Sequence, residues 1–141
     1  MLRSTIPSAR DGSSSPHSRT SRLRVFQLST PTAGSGLQSA LADLLFIPAA
    51  FTAFTGKDHW NVLLQARAIE NTAYVVAPAQ TGQHGPRRQT HGHALVIDPW
   101  GTVLSDAGTS VGQAVAPIDV GHRQRIQAQM PSLQHRKPAL F

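Results

Sequence analysis

The sequence has no cysteine and a single glutamate, Glu70, among its 141 residues. The missing thiol excludes disulfides, thiolate metal ligands and cysteine nucleophiles from these residues. Apolar runs are short as well. The run LLFIPAAF has 8 residues, whereas a membrane-spanning helix needs about 20. We therefore expect a soluble chain with no membrane partner and no cysteine chemistry of its own.

Acidic side chains are scarce, and the net charge is +6. The excess is uneven, because residues 1–40 carry five arginines against one aspartate and the other 101 residues carry eight basic against six acidic side chains. A nucleic-acid-binding domain concentrates its basic residues on a folded face. Here most of the excess lies in sequence that is unlike a folded domain, so we expect no nucleic-acid partner.

Residues 1–40 are rich in Ser, Arg, Pro and Gly, and we expect a disordered leader because such a segment buries too little apolar area to offset chain entropy. Within it, LRVFQL favours a short strand or a helical turn. Abundant Arg and Ser with little acid is also typical of an organellar transit peptide, although the prolines disfavour the helix that such a peptide needs. A transit peptide and a spurious leader both stay open, with a cytoplasmic location expected and a mitochondrial one as the alternative.

From residue 41 the patterns indicate a folded domain. LADLLFIPAAF predicts a buried strand that ends at Pro48, and TAFTG predicts a loop. Asp58 is placed to cap a helix that begins near Trp60. The predicted apolar stripe of this helix is wide and comprises Trp60, Leu63, Leu64 and Ala68, flanked by Val62, Ala66 and Ile69.

The remaining segments alternate in type. AYVVAPAQ predicts a strand and TGQHGPRRQTHG a long irregular loop. HALVIDPWGTVLSDAG predicts a hairpin, since DPWG places Pro and Gly where a tight turn needs them. QAVAPIDV predicts a further strand, and GHRQRIQAQM predicts a short helix with a solvated basic face. Strands before, between and after helices indicate an α/β fold.

The motifs HWNVLLQARAIENTAYVVAPAQ and HALVIDPWG, with MPSLQHRK near the end, resemble the C-terminal part of a nitrilase-superfamily carbon–nitrogen hydrolase. The resemblance covers about residues 41–141 and is closest to the branch of deaminated glutathione amidases and related omega-amidases. It implies a partial four-layer αββα sandwich, usually dimerised through its helices. It also implies hydrolysis of a small omega-amide without a cofactor.

The sequence departs from that family at the catalytic residues. The resemblance implies a cysteine nucleophile, a glutamate base and a lysine that supports the oxyanion, and all three precede the matching region. Instead of a segment like CYDLRFPE, the chain runs through TAGSGLQSALADLLF into the first strand. Lys57, Lys137 and Glu70 match non-catalytic positions, and Glu70 is spaced to pair with Arg67 on the helix.

We therefore predict no catalytic residue in this chain, and an inactive fragment of the hydrolase. The alternative is a non-catalytic pseudoenzyme that pairs with an intact hydrolase through a helix face. A truncated or misassembled reading frame without a functional product is a third possibility, because half a sandwich leaves sheet edges and an apolar face uncovered.

Phe51 and Thr55 match family positions that line the substrate pocket. An aromatic wall and a hydroxyl group suit a small amide with an apolar stem and a polar end. The opposing interpretation, that Phe51 is a core residue and Thr55 a turn residue, stays open.

Three histidines, His84, His91 and His93, crowd one loop, and the spacing places His91 and His93 on the same side of the chain. Zinc needs further ligands at a suitable spacing, and none is evident near them. We predict no metal site.

Overall fold

The computed structural model describes the backbone of residues 25–27 and residues 42–131. Within these residues the chain has a mixed α/β fold, as the sequence predicted. The elements in chain order are β1 (Val25–Gln27), β2 (Leu44–Phe46), α1 (Ala53–Asn71), β3 (Tyr74–Ala77), β4 (Thr81–Gln83), β5 (Gln89–His91), β6 (Leu95–Ile97), β7 (Val103–Asp106) and α2 (Val120–Gln129). Neither helix is both long and apolar enough to cross a bilayer.

The main sheet has the strand order β1-β2-β3-β6-β7. Strands β1, β2 and β3 are parallel, whereas β6 and β7 join as antiparallel neighbours. β2 and β3 are near-continuous apolar runs, as expected of parallel strands covered on both faces. β4 and β5 form a separate antiparallel pair, which we call the β4–β5 hairpin.

Strand β1 lies inside the segment expected to be a disordered leader. Its three residues pair in parallel with β2, in register from Val25 opposite Leu44 to Gln27 opposite Phe46. Within the run LRVFQL, which favoured a short strand or turn, the described residues Val25–Gln27 form a strand. The other residues of 1–40 lie outside the described part of the chain, so the boundary near residue 40 stays a prediction.

The core lies between the main sheet and the inner face of α1. Trp60, Leu64 and Ala68 of the helix are fully buried and belong to one apolar cluster with Val75 and Ile97. The Trp60 indole N–H, a polar group inside this core, donates to the carbonyl of His93 at 2.7 Å, so its burial leaves no unsatisfied donor.

Helix α1 begins earlier and buries a narrower stripe than the sequence predicted. It starts at Ala53 with Thr52 as N-cap, so TAFTG is helical rather than a loop and Asp58 is not the cap. A buried glycine, Gly56, concealed this start, because glycine is a poor helix former. A Cβ atom at Gly56 would lie 2.5 Å from His91 Cβ, so the close approach of the hairpin requires glycine.

Two further predictions were wrong. TGQHGPRRQTHG forms the β4–β5 hairpin rather than an irregular loop, and its polar strands carry little apolar alternation from which to predict them. QAVAPIDV does not form a strand. Val115 in this segment is 75% exposed, and Pro117 cannot donate to a ladder.

The predicted β6–β7 hairpin is confirmed, and Asp98 organises its turn. The Asp98 carboxylate accepts hydrogen bonds from the amides of Trp100 and Thr102 at 2.9 and 2.8 Å. A carboxylate that accepts two amides in this way fixes a turn that the Pro and Gly residues already favour.

A buried arginine of α2 joins this helix to the rest of the domain. Arg123 donates to the Asp43 carboxylate at 2.6 Å and to the carbonyls of Thr72 and Ala42, both at 2.8 Å. Only 3% of Arg123 is exposed. The planar guanidinium suits such a set of acceptors, so one side chain connects α2, the end of α1 and the entry to β2.

Replacing Arg123 by alanine is therefore expected to lower the free energy of unfolding by about 3–5 kcal/mol, because it leaves the Asp43 carboxylate buried without this partner. The matched control is Arg125→Ala, since Arg125 pairs with Asp119 on an exposed surface and such pairs contribute little. Urea denaturation of both variants checks the prediction. Similar midpoints for the two variants would contradict it.

Candidate functional site

An open cleft lies at the carboxyl ends of the parallel strands β2 and β3. Its volume is about 430 Å³, and it is lined by Pro48, Ala49, Pro78, Ala79 and Gln80. In α/β sheets, the carboxyl ends of parallel strands are where ligands usually bind. The cleft is therefore the strongest candidate for a ligand site in the described residues.

Backbone hydrogen bonds continue the pairing of β2 and β3 into the cleft wall. The Ala49 amide donates to the carbonyl of Pro78 at 3.0 Å, and the Gln80 amide donates to the carbonyl of Ala49 at 2.9 Å. Each strand is thus followed by a proline and an alanine held side by side. This arrangement makes the wall rigid and mainly apolar, with the Gln80 amide as its one polar side chain.

Phe51 lies beside the core rather than in the cleft lining. Its ring centroid is 5.3 Å from that of Trp60 at an interplanar angle of 46°, and it packs against the core cluster. Its carbonyl accepts from the amide of His91 at 2.9 Å.

Thr55 lies in the first turn of α1, where its hydroxyl is 2.7 Å from that of Thr52. This contact is exposed and joins the N-cap residue to the first turn of the helix. The structure does not bring Thr55 or Phe51 into the lining of the cleft, so a role of either residue in substrate binding stays a prediction.

Lys57 and Glu70, which match non-catalytic positions of the family, lie on the surface of α1. Glu70 forms the predicted ion pair with Arg67 and is also 3.4 Å from the Asn71 amide. Lys57 lies 4.0 Å from Asp58. None of these side chains lines the cleft, and Lys137 lies outside the described residues.

The histidines split into two groups. His91 and His93 are on the same side of the chain, as predicted, and their rings stack with centroids 4.6 Å apart. His93 Nδ1 lies 2.9 Å from Asp106 Oδ2. His84 instead contacts the hydroxyl of Thr90 at 2.9 Å. In the part of the chain that the structure describes, no three His, Cys, Asp or Glu residues are grouped so as to hold a metal ion.

Sequence reasoning missed the residues that form the cleft wall. The two strand sequences contain a signal that identifies them, because FIPAA and VAPAQ both end an apolar strand with a proline followed by alanine. The pairing of β2 and β3 continues past both prolines, so the two Pro-Ala endings lie side by side at the same edge of the sheet.

Residues 35–128 match the sequence pattern of the family described as carbon-nitrogen hydrolase. This match covers about two thirds of the chain, and the chain therefore belongs to the carbon–nitrogen hydrolase family. The family resemblance inferred from the motifs is confirmed.

Within this nitrilase superfamily the chain is similar to deaminated glutathione amidases. It is 67% identical over 95 residues to one from Synechocystis, which covers 67% of this chain and 35% of the relative. It is 41% identical over 140 residues to one from Bos taurus, covering 98% of this chain and 43% of the relative. The chain thus spans well under half the length of these relatives.

A solved structure confirms the fold. The Caenorhabditis elegans NitFhit protein superposes with a TM-score of 0.67 and 47% identity, covering 71% of this chain and 24% of that one. The α/β arrangement described above is therefore a part of the nitrilase-type fold.

Proposed function

We propose that this chain supplies a wall of the amide-binding cleft of a carbon–nitrogen hydrolase, and that the 141-residue polypeptide alone binds a small amide without hydrolysing it. The observation that carries the proposal is the chemistry of the cleft. Its lining contains two prolines, two alanines and Gln80, and the sequence contains no cysteine.

Amide hydrolysis needs a nucleophile, a group that moves protons and a donor that stabilises the oxyanion. The Gln80 amide can donate to a carbonyl and accept from an amide N–H, and the wall carbonyls can accept further hydrogen bonds. These groups orient a ligand. Glutamine does not titrate and is not a nucleophile, so the wall lacks the groups that attack the carbonyl or transfer a proton.

The proposed ligand is a small omega-amide, of which deaminated glutathione, named for the relatives, is one example. A volume of about 430 Å³ lies in the range of small-molecule sites. The apolar prolines and alanines suit an aliphatic stem, and Gln80 suits the amide end. In this proposal Phe51 and Thr55 contact the ligand from near the start of α1, outside the cleft wall itself.

The expected result with deaminated glutathione or a shorter omega-amide is no ammonia release above the buffer background. Ammonia would be measured against protein concentration, so that a trace contaminant is distinguished from the chain itself. The variants Gln80→Ala and Thr55→Ala also distinguish the two, because a contaminant's activity would not change with a substitution in this chain. Turnover that scales with the wild-type polypeptide and falls in either variant would contradict the proposal.

A second proposed function is pairing with another hydrolase chain, either a second copy or an intact relative. The observation that favours it is the outer face of α1, where Phe54, Val62 and Ile69 are 82%, 64% and 41% exposed. Exposed apolar side chains grouped on one face of a helix, here together with the polar Asp58 and Gln65, are typical of a surface that packs against a partner.

Under this second proposal, Val62→Asp is expected to abolish self-association or co-elution with an intact hydrolase, because it places a charge in the apolar face. The matched control is Asn61→Asp, an exposed neighbour that adds the same charge beside this stripe. Size-exclusion chromatography with light scattering makes the measurement. A wild-type polypeptide that stays monomeric at all concentrations and does not co-elute would contradict the pairing.

A further inference from the structure

The β4–β5 hairpin is attached to the start of α1 at His91 and its neighbours. The His91 amide donates to the carbonyl of Phe51 at 2.9 Å, and Thr90 forms an antiparallel bridge with Thr52. The His91 side chain packs so closely on Gly56 that a Cβ there would lie 2.5 Å from His91 Cγ. An imidazole therefore fills the contact between hairpin and helix.

The second histidine, His93, is held in place by contacts with Asp106 and Trp60. His93 Nδ1 contacts both carboxylate oxygens of Asp106, at 3.1 and 2.9 Å, and the His93 carbonyl accepts from the Trp60 indole. His93 has a positive φ of 55°, which is uncommon for a residue other than glycine. These contacts fix the ring on which His91 stacks.

The two rings differ in the charge that each can carry. The Asp106 carboxylate contacts the His93 side chain directly and offsets positive charge there. In residues 42–131, no carboxylate is hydrogen-bonded to the His91 side chain. A second proton on the His91 ring would therefore lack a hydrogen-bonded carboxylate, and His93, whose ring centroid is 4.6 Å away, disfavours that proton.

Within residues 42–131, the charges that act on His91 are those of His93 and Asp106. From α1, the contacting residue is Gly56, and the nearby Lys57 and Asp58 side chains lie 4.0 Å from each other and are each 64% exposed. From β4, the residue opposite in register is Thr81. The groups that act on His91 are therefore His93 and Asp106.

We propose that the stacked His91–His93 pair is an acid-sensitive clamp, which holds the β4–β5 hairpin on α1 while His91 is neutral and releases it when His91 becomes protonated beside His93. The released hairpin would also disturb the cleft, since the Gly92 amide donates to the carbonyl of the lining residue Gln80 at 3.1 Å. The inference rests on the hairpin contacts and does not require the proposed function.

The direction of the pKa changes agrees with this geometry. Burial lowers the pKa of His91, His93 lowers it further, and Asp106 offsets only part of the effect. Burial raises the pKa of Asp106, but hydrogen bonds from His93 and from the Gly108 amide outweigh burial and leave it below its usual value. Asp106 therefore stays ionised in the range where histidine titrates.

The sign of the pH effect follows from proton linkage. The folded state binds fewer protons at His91 than the unfolded chain does. The contribution of the clamp is fully present above the ordinary histidine pKa of about 6.5. It is lost progressively as the pH falls below that value toward the lowered pKa of the folded state.

Hydrogen exchange of the hairpin amides at about pH 7.5 and about pH 5.0, on either side of the ordinary histidine pKa, tests the clamp. After correction for intrinsic rates, we expect the amides of residues 81–91 to exchange at least about threefold faster at the lower pH, since one proton is linked to release. The matched variants are His91→Phe, which keeps an aromatic ring without titration, and His59→Gln, an exposed histidine of α1.

The clamp predicts that His91→Phe loses the pH dependence and that His59→Gln retains it. Because His91→Phe could perturb folding, the imidazole titration of the wild-type chain is followed by NMR as well. Equal hairpin protection at the two pH values, the same pH dependence in His91→Phe, or a His91 pKa at or above the ordinary value would each overturn the proposal.

Discussion

The buried Trp60 side chain is the constraint on which the rest of the domain depends. Its ring packs against Phe51 at the exit from β2, and its N–H satisfies the carbonyl of His93 at the entry to β6. A buried tryptophan contributes a large apolar area to a core, and the hydrogen bond of its N–H fixes the orientation of the ring. Trp60 therefore sets how α1 lies on the sheet.

The candidate cleft borders the same core, because its lining residues Ala49 and Ala79 pack against the cluster that contains Trp60. The segments that leave β2 and β3 run side by side and form the cleft. The wall consists of backbone and small side chains, which in the proposed function position a ligand without reacting with it. The chain belongs to a family of carbon–nitrogen hydrolases, and the proposal assigns to the residues of this wall shape and hydrogen bonds rather than catalytic groups.

The parts of the fold that were predictable from sequence are those that the core dictates. The stripe of Trp60, Leu64 and Ala68, the apolar runs of β2 and β3 and the DPWG turn each follow a local rule, and all are present. The start of α1 was missed because Gly56 satisfies a contact with a hairpin that is distant in sequence. No local pattern contains that contact.

The other misses have the same origin. Arg123 belongs to a polar, basic helix and looks solvated, yet its acceptors come from residues 42, 43 and 72. The strands of the β4–β5 hairpin are polar and do not alternate with apolar residues. Their pairing is stabilised instead by the packing of the hairpin on α1. At the site, the Pro-Ala endings of two strands were visible in the sequence, but their adjacency required the parallel pairing of β2 and β3.

The claim that the cleft binds an amide without turning it over is tested most directly by an NMR titration of the labelled polypeptide with a small omega-amide. The account predicts amide shift changes concentrated at Ala49, Ala79 and Gln80, with the ligand signals unchanged over time. Shift changes elsewhere with none at these three residues, or conversion of the ligand to its acid, would contradict it.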